Sequence, residues 1–194
     1  MSTANLKMAN PEREQYPVHP KKFMLWVFLV SVTMLFAAFT SGMIVRRGDG
    51  NWTYFIIPGI FTFTTIVAAL SSVTMQWAYF AAKKNNLQAL KIALFLTLAL
   101  GITFSIGQYY GYKALVAMHV FLVGNPSESF FYVVTGVHLL HIIGGILYLA
   151  YVLIRSLQNK VHAGNMLSIN LCTTYWHFVG GLWIYLFIIL NVLR

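Results

Sequence analysis

The sequence predicts an all-α fold, an integral membrane bundle of five transmembrane helices. Three observations carry that expectation. The 194 residues are 59% hydrophobic and only 9% charged, where a soluble domain is about 45–50% apolar and about 25% charged. Mean hydropathy is +0.71. The apolar residues gather into five runs, each long enough to cross roughly 30 Å of hydrocarbon as a helix, and the charged residues fall between the runs.

Residues 1–22 read as a polar leader with Pro11, Pro17 and Pro20, ending at Lys21 and Lys22; nothing in it resembles a cleavable signal. The first span covers 23–45 and stops at Arg46-Arg47-Gly48-Asp49-Gly50, a charged glycine-rich turn that cannot stay in hydrocarbon. The second covers 54–82 and ends in Lys83 and Lys84; Pro58 near its start fits a first turn, where the missing N–H is not needed. The third covers 90–112. Its Gly101, Ser105, Gly107 and Gly111 fall at small-xxx-small spacing, which predicts a close helix approach. A polar link with Lys113, His119, Asn125, Pro126 and Glu128 leads to the fourth span, 129–154, which carries Gly144 and Gly145 and closes at Arg155. A loop with Lys160 and His162 leads to the fifth, 170–193, where Gly180 and Gly181 are further packing positions.

The formal net charge is +9 and the pI about 9.8, but the basic residues lie in short clusters and not in one stripe, which argues against a nucleic-acid partner. Topology accounts for them better. Lys7, Arg13, Lys21, Lys22, Lys83, Lys84, Lys91, Arg155 and Lys160 share one side, against Arg46, Arg47, Lys113 and Arg194 on the other. The positive-inside rule then expects a cytoplasmic N-terminus and an external C-terminus. With a single cysteine, Cys172, no internal disulfide can form.

Function has to be sought among the polar residues inside the spans. His138 and His141, three apart in an otherwise apolar run, lie on roughly one helix face. An ionisable group at membrane depth faces protein and marks a site by default; a neutral imidazole bonded between packed helices is the bland alternative. Helix rise places His177, beside Trp176, about 10 Å in from the basic boundary, and His141 is expected in the same layer. His138, His141, Trp176 and His177 are thus the candidate polar cluster, lipid-binding or structural. A b-type haem would need an imidazole from each of two facing helices, and His141 with His177 is the one available pair. Copper or zinc would want a third ligand at that depth, but His119 is in the outer link and His19 and His162 are at the opposite edge. Metal is therefore not expected. The four carboxylates, Glu12, Glu14, Asp49 and Glu128, all lie outside the spans, a weak basis for proton relay. No lysine is placed to hold retinal, and no phosphate-binding loop or nucleophile-and-base set is found. Trp26, Trp52, Trp77, Trp176 and Trp183, mostly near span ends, read as interfacial anchors.

Several stretches resemble one family. Phe131-Tyr132-Val133-Val134-Thr135-Gly136-Val137-His138-Leu139-Leu140-His141, followed by Gly144-Gly145, is similar to the Thr-Gly-x-His-x-x-His signature of subunit III of haem–copper terminal oxidases. Tyr175-Trp176-His177-Phe178-Val179 resembles that family's Tyr-Trp-His-Phe-Val. Lys22-Phe23-Met24-Leu25-Trp26-Val27-Phe28-Leu29 resembles the opening of its first core helix, Ser71-Ser72-Val73-Thr74 its Ser-Ser-x-Thr, and Gly107-Gln108-Tyr109-Tyr110 its Gln-aromatic element. The matches run in order over nearly the whole chain.

The resemblance is to the short bacterial form with five helices, and it implies a multi-pass subunit of the bacterial plasma membrane. Such a chain carries no redox cofactor; haem and copper are expected in partner subunits. It binds subunits I and II of an oxidase that reduces oxygen to water with electrons from cytochrome c or quinol, coupled to proton translocation, and its implied partners extend to a larger respiratory supercomplex. Its implied role is support: stabilising the core subunit, shaping an oxygen path, and holding phospholipid in a cleft between its first two helices and the remaining three. Three acids usual in the family are replaced, at the positions of Val32, Gly111 and Gly180, which puts any carboxylate role in proton delivery in doubt. The competing readings are an accessory subunit of nitric oxide reductase, a b-haem membrane anchor and a small transporter.

Overall fold

A computed structural model of the chain describes residues 19–48, 50, 52–159, 161 and 165–193. The polar leader up to position 18, Asp49, Lys160, His162 and Arg194 lie outside the described residues. Five helices follow one another: α1 (Pro20–Gly48), α2 (Gly59–Lys83), α3 (Leu87–Ala117), α4 (Pro126–Leu157) and α5 (Leu167–Leu193). All five are long and apolar enough to span a membrane. No strand forms among the described residues. One end of the bundle collects Lys21, Lys22, Lys83, Lys84, Lys91 and Arg155 and is called the basic end; Arg46, Arg47 and Lys113 lie toward the other.

Most helices run past the expected spans because caps, not hydropathy, set their ends. Asn86 accepts the Ala89 N–H at 3.1 Å to begin α3, and Asn125 accepts the Ser127 N–H at 3.0 Å, with Pro126 in the first turn, to begin α4. At α2 the difference has the opposite sign. Pro58 stands just before the helix, with residues 52–58 non-helical, because the residue preceding a proline is disfavoured in the α region. The second span thus begins at Gly59 and not at residue 54.

Helices α2, α3, α4 and α5 form the core. Among the described residues α1 packs on α4 and α5 and makes no close backbone approach to α2 or α3. Its buried residues, Leu29, Val32, Phe36, Thr40 and Met43, form one narrow stripe. The expected division of two helices against three is therefore corrected: α2 belongs with α3 and α5, and α1 alone stands off. Small residues explain the close α2–α3 contact. A Cβ at Gly107 would collide with Thr64 Cγ2, and one at Gly111 would lie 2.7 Å from the Phe61 ring. Gly101 instead faces Trp176, at 2.8 Å on the same measure, and Gly145 faces Tyr175 at 3.0 Å. Ser105 turns back to the carbonyl of Gly101, and Gly181 borders open space.

Candidate site at the Tyr175-Trp176-His177 clasp

Three consecutive side chains of α5 reach two different helices. Tyr175 donates its hydroxyl to the His141 carbonyl of α4 at 2.8 Å. Trp176 donates Nε1–H to Ser71 Oγ of α2 at 3.1 Å, and His177 Nε2 meets Gln76 Oε1 of α2 at 3.0 Å. An amide oxygen only accepts, so Nε2 of His177 carries the hydrogen. Two turns on, Trp183 donates to Thr65 Oγ1 at 3.0 Å. The acceptors follow a rule of helix chemistry. Ser71 and Thr65 each give their hydroxyl hydrogen to a carbonyl of their own helix, Ala68 and Phe61, which turns a lone pair toward the neighbour. Thr64 repeats the pattern: it donates to the Phe61 carbonyl and accepts from Gln108 Nε2 at 3.1 Å.

The four candidate residues divide between separate surroundings. His138 is fully buried; its ring stacks on Trp183 at 5.1 Å, with Phe36 and Phe104 edge-on at 6.2 Å, and neither ring nitrogen finds a protein partner. His141 turns toward α1, beside Phe36 at 5.8 Å and Phe28 at 6.3 Å. Its Nδ1 donates to the Val137 carbonyl of its own helix at 2.8 Å. His177 thus commits Nε2 to Gln76 of α2, whereas His141 turns its ring toward α1. Among the described residues no group of three or more His, Cys, Asp or Glu gathers to hold a metal. Trp176 and Trp183 are buried hydrogen-bond donors and not interfacial anchors, a correction to the sequence reading; Trp26 and Trp77 are exposed, as anchors would be. The replaced acid positions sit against protein: Val32 in the core cluster, Gly111 against Phe61, and Gly180 with Ser72 Oγ 3.0 Å from where its Cβ would be.

The standoff of α1 opens a cleft of about 750 Å³ at the basic end, between α1, α4 and α5. Met24, Leu25, Phe28 and Leu171 give it apolar walls, and Lys21 and Arg155 line it as cations. Arg155 is held in place: Nη1 donates to Ser168 Oγ at 3.1 Å and the guanidinium lies 5.8 Å from the Tyr151 ring centre. The sequence flagged neither this pairing nor Tyr175. The Tyr-Trp-His-Phe-Val string held the signal for the second, a hydroxyl beside two further polar rings in a membrane helix.

Comparison with known proteins decides the family. The family described as cytochrome c oxidase subunit III matches residues 18–193. The chain belongs to the cytochrome c oxidase subunit III family. It is 33% identical over 174 residues to a probable cytochrome c oxidase subunit 3 of Nocardia farcinica, covering 87% of this chain and 85% of the relative. It is 31% identical over 194 residues to cytochrome c oxidase subunit 3 of Corynebacterium diphtheriae, covering 95% and 94%. The subunit 3 of Alkalihalophilus pseudofirmus is 28% identical over 190 residues. This subunit III is accordingly a membrane component of a terminal oxidase, an oxidoreductase complex with other subunits, and the nitric oxide reductase reading is not favoured.

Proposed function

We propose that this subunit III is a cofactor-free support for the oxidase. It braces the catalytic subunit I together with subunit II and keeps phospholipid at their boundary, in a bacterial plasma membrane with its basic end in the cytoplasm. The observation that carries the reading is the cleft beside α1. Its apolar walls suit acyl chains, and Lys21 and Arg155 at the basic end suit a phosphate, to which a fork of guanidinium donors binds by charge-assisted hydrogen bonds. The nine basic residues on this side against four on the other support the orientation. The histidines act here as packing and hydrogen-bonding groups, and the haem and copper reside in the partners.

The test is made on the assembled oxidase. Changing Lys21→Ala and Arg155→Ala together should lower the phospholipid phosphorus retained per complex after detergent exchange, with turnover in native membranes unchanged. An unaltered phosphorus count would sink the lipid assignment, and a stoichiometric Soret band in the separated subunit would sink the cofactor-free one.

A further inference from the structure

The connection between α3 and α4, at the end opposite the lysines, is apolar yet firmly braced. Val120 is buried, but the next three side chains turn outward: Phe121 is 45% exposed, Leu122 52% and Val123 86%. The backbone that carries them is tied to the first turns of α4. The Phe121 N–H donates to Glu128 Oε2 at 3.1 Å, Ser129 Oγ–H donates to the Leu122 carbonyl at 2.7 Å, and Tyr132 Oη–H donates to the Val120 carbonyl at 3.0 Å. His119, at φ +60°, makes the sharp turn out of α3 that folds the segment back on α4.

Those bonds fix the depth of the segment. The apolar run of α4 goes from Phe130 to Ile154, about 37 Å along the axis, against a hydrocarbon thickness of roughly 30 Å. With this run centred on the hydrocarbon, about 3 Å of it protrudes at each end, so residues 128–130 lie about 3–6 Å beyond the edge, within an interfacial zone about 5–8 Å deep. Phe121, Leu122 and Val123 are held level with them. Exposed to water, three adjacent apolar side chains on a rigid backbone would be costly. At this depth they meet the boundary between headgroups and acyl chains.

We propose that residues 121–123 form a membrane-surface anchor that seats in the lipid leaflet at the end opposite the basic one. The segment from Val120 to Asn125 has no charged side chain of its own; the Glu128 carboxylate that binds the Phe121 N–H stays at headgroup level, and the bracing means that little conformational freedom is lost on insertion. The occupant is therefore lipid, and not the water-exposed domain of another subunit.

A spin label at Val123→Cys, in the assembled oxidase in phospholipid nanodiscs, tests this against the unsubstituted complex. Cys172 is 1% exposed and should not take up label. Collision with oxygen, which partitions into lipid, should exceed collision with a water-soluble nickel chelate several-fold. Equal collision with the chelate and with oxygen, as for a label in water, would overturn the anchor. A rigid label shielded from both would also overturn it and would place a protein partner there. Should Val123→Cys fail to assemble, Leu122→Cys gives the same readout, because Ser129 holds the Leu122 carbonyl and not its side chain.

Discussion

Helices α1 and α3 are both about 30 residues long and mostly apolar, yet one is an arm and the other part of the core. Helix α3 buries ten of its 31 residues, four of them glycine, threonine or glutamine positions that let α2 approach or bond to it. Helix α1 buries five of 29, and Thr40 ties it to Tyr185 of α5, 3.2 Å apart. Ser31 and Thr33 spend their hydroxyls on their own helix. Apolar surface alone gives little preference for protein over lipid inside a bilayer, since lipid tails are as apolar as leucine. What separates core from arm is therefore small residues and interhelical hydrogen bonds.

The sharpest way to break this contrast is within the core. Trp183→Ala removes the ring that stacks on His138 and meets Phe104 at 5.1 Å, together with the bond to Thr65. The expected cost is about 3–5 kcal/mol, read as a lower unfolding temperature of the subunit and its loss from the complex on detergent titration. Removing the tie of the arm should cost much less. Tyr185→Phe deletes one interhelical hydrogen bond, about 0.6 kcal/mol on average and up to about 2. It should loosen α1 first, seen as protease access to the start of α1 at detergent levels that leave the core intact. The smallest effect belongs to His141→Leu. The imidazole bonds to its own helix, and the bond that joins α5 here uses the backbone carbonyl of residue 141, which the substitution keeps. Turnover and assembly in native membranes should be unchanged, and only retention of cleft lipid in harsh detergent should fall, through the contact of His141 with Phe28 of the cleft wall. Loss of oxygen consumption in a fully assembled complex would instead give His141 a direct role in the chemistry.

The sequence made the spans legible because a bilayer tolerates only helices whose apolar length matches it. Their ends were not legible from hydropathy, since the turns at Asn86, Asn125 and Pro58 lie outside hydrocarbon and obey capping and proline geometry. The small residues of α3 announced close packing, but their spacing does not say which neighbour they meet. Gly107 and Gly111 meet α2, while Gly101 takes Trp176 of α5. The three-residue spacing of His138 and His141 put them on one broad face, and both touch Phe36. A rotation of about 60° between them suffices to send one ring into the core and the other toward the arm. The tryptophans misled for a similar reason: position along a helix does not report which way a side chain turns.

The most direct test of arm against core is the spin–spin distance across two helix pairs during delipidation of the assembled oxidase. Labels at Met24→Cys and Tyr151→Cys face each other across the cleft, and labels at Trp77→Cys and Ile92→Cys sit on α2 and α3, all at positions outside the closely packed core. The α1–α4 distance should widen and broaden as lipid is stripped and return when anionic phospholipid is added back, while the α2–α3 distance stays fixed. Both distances broadening together, or the α1–α4 distance ignoring lipid, would contradict the account.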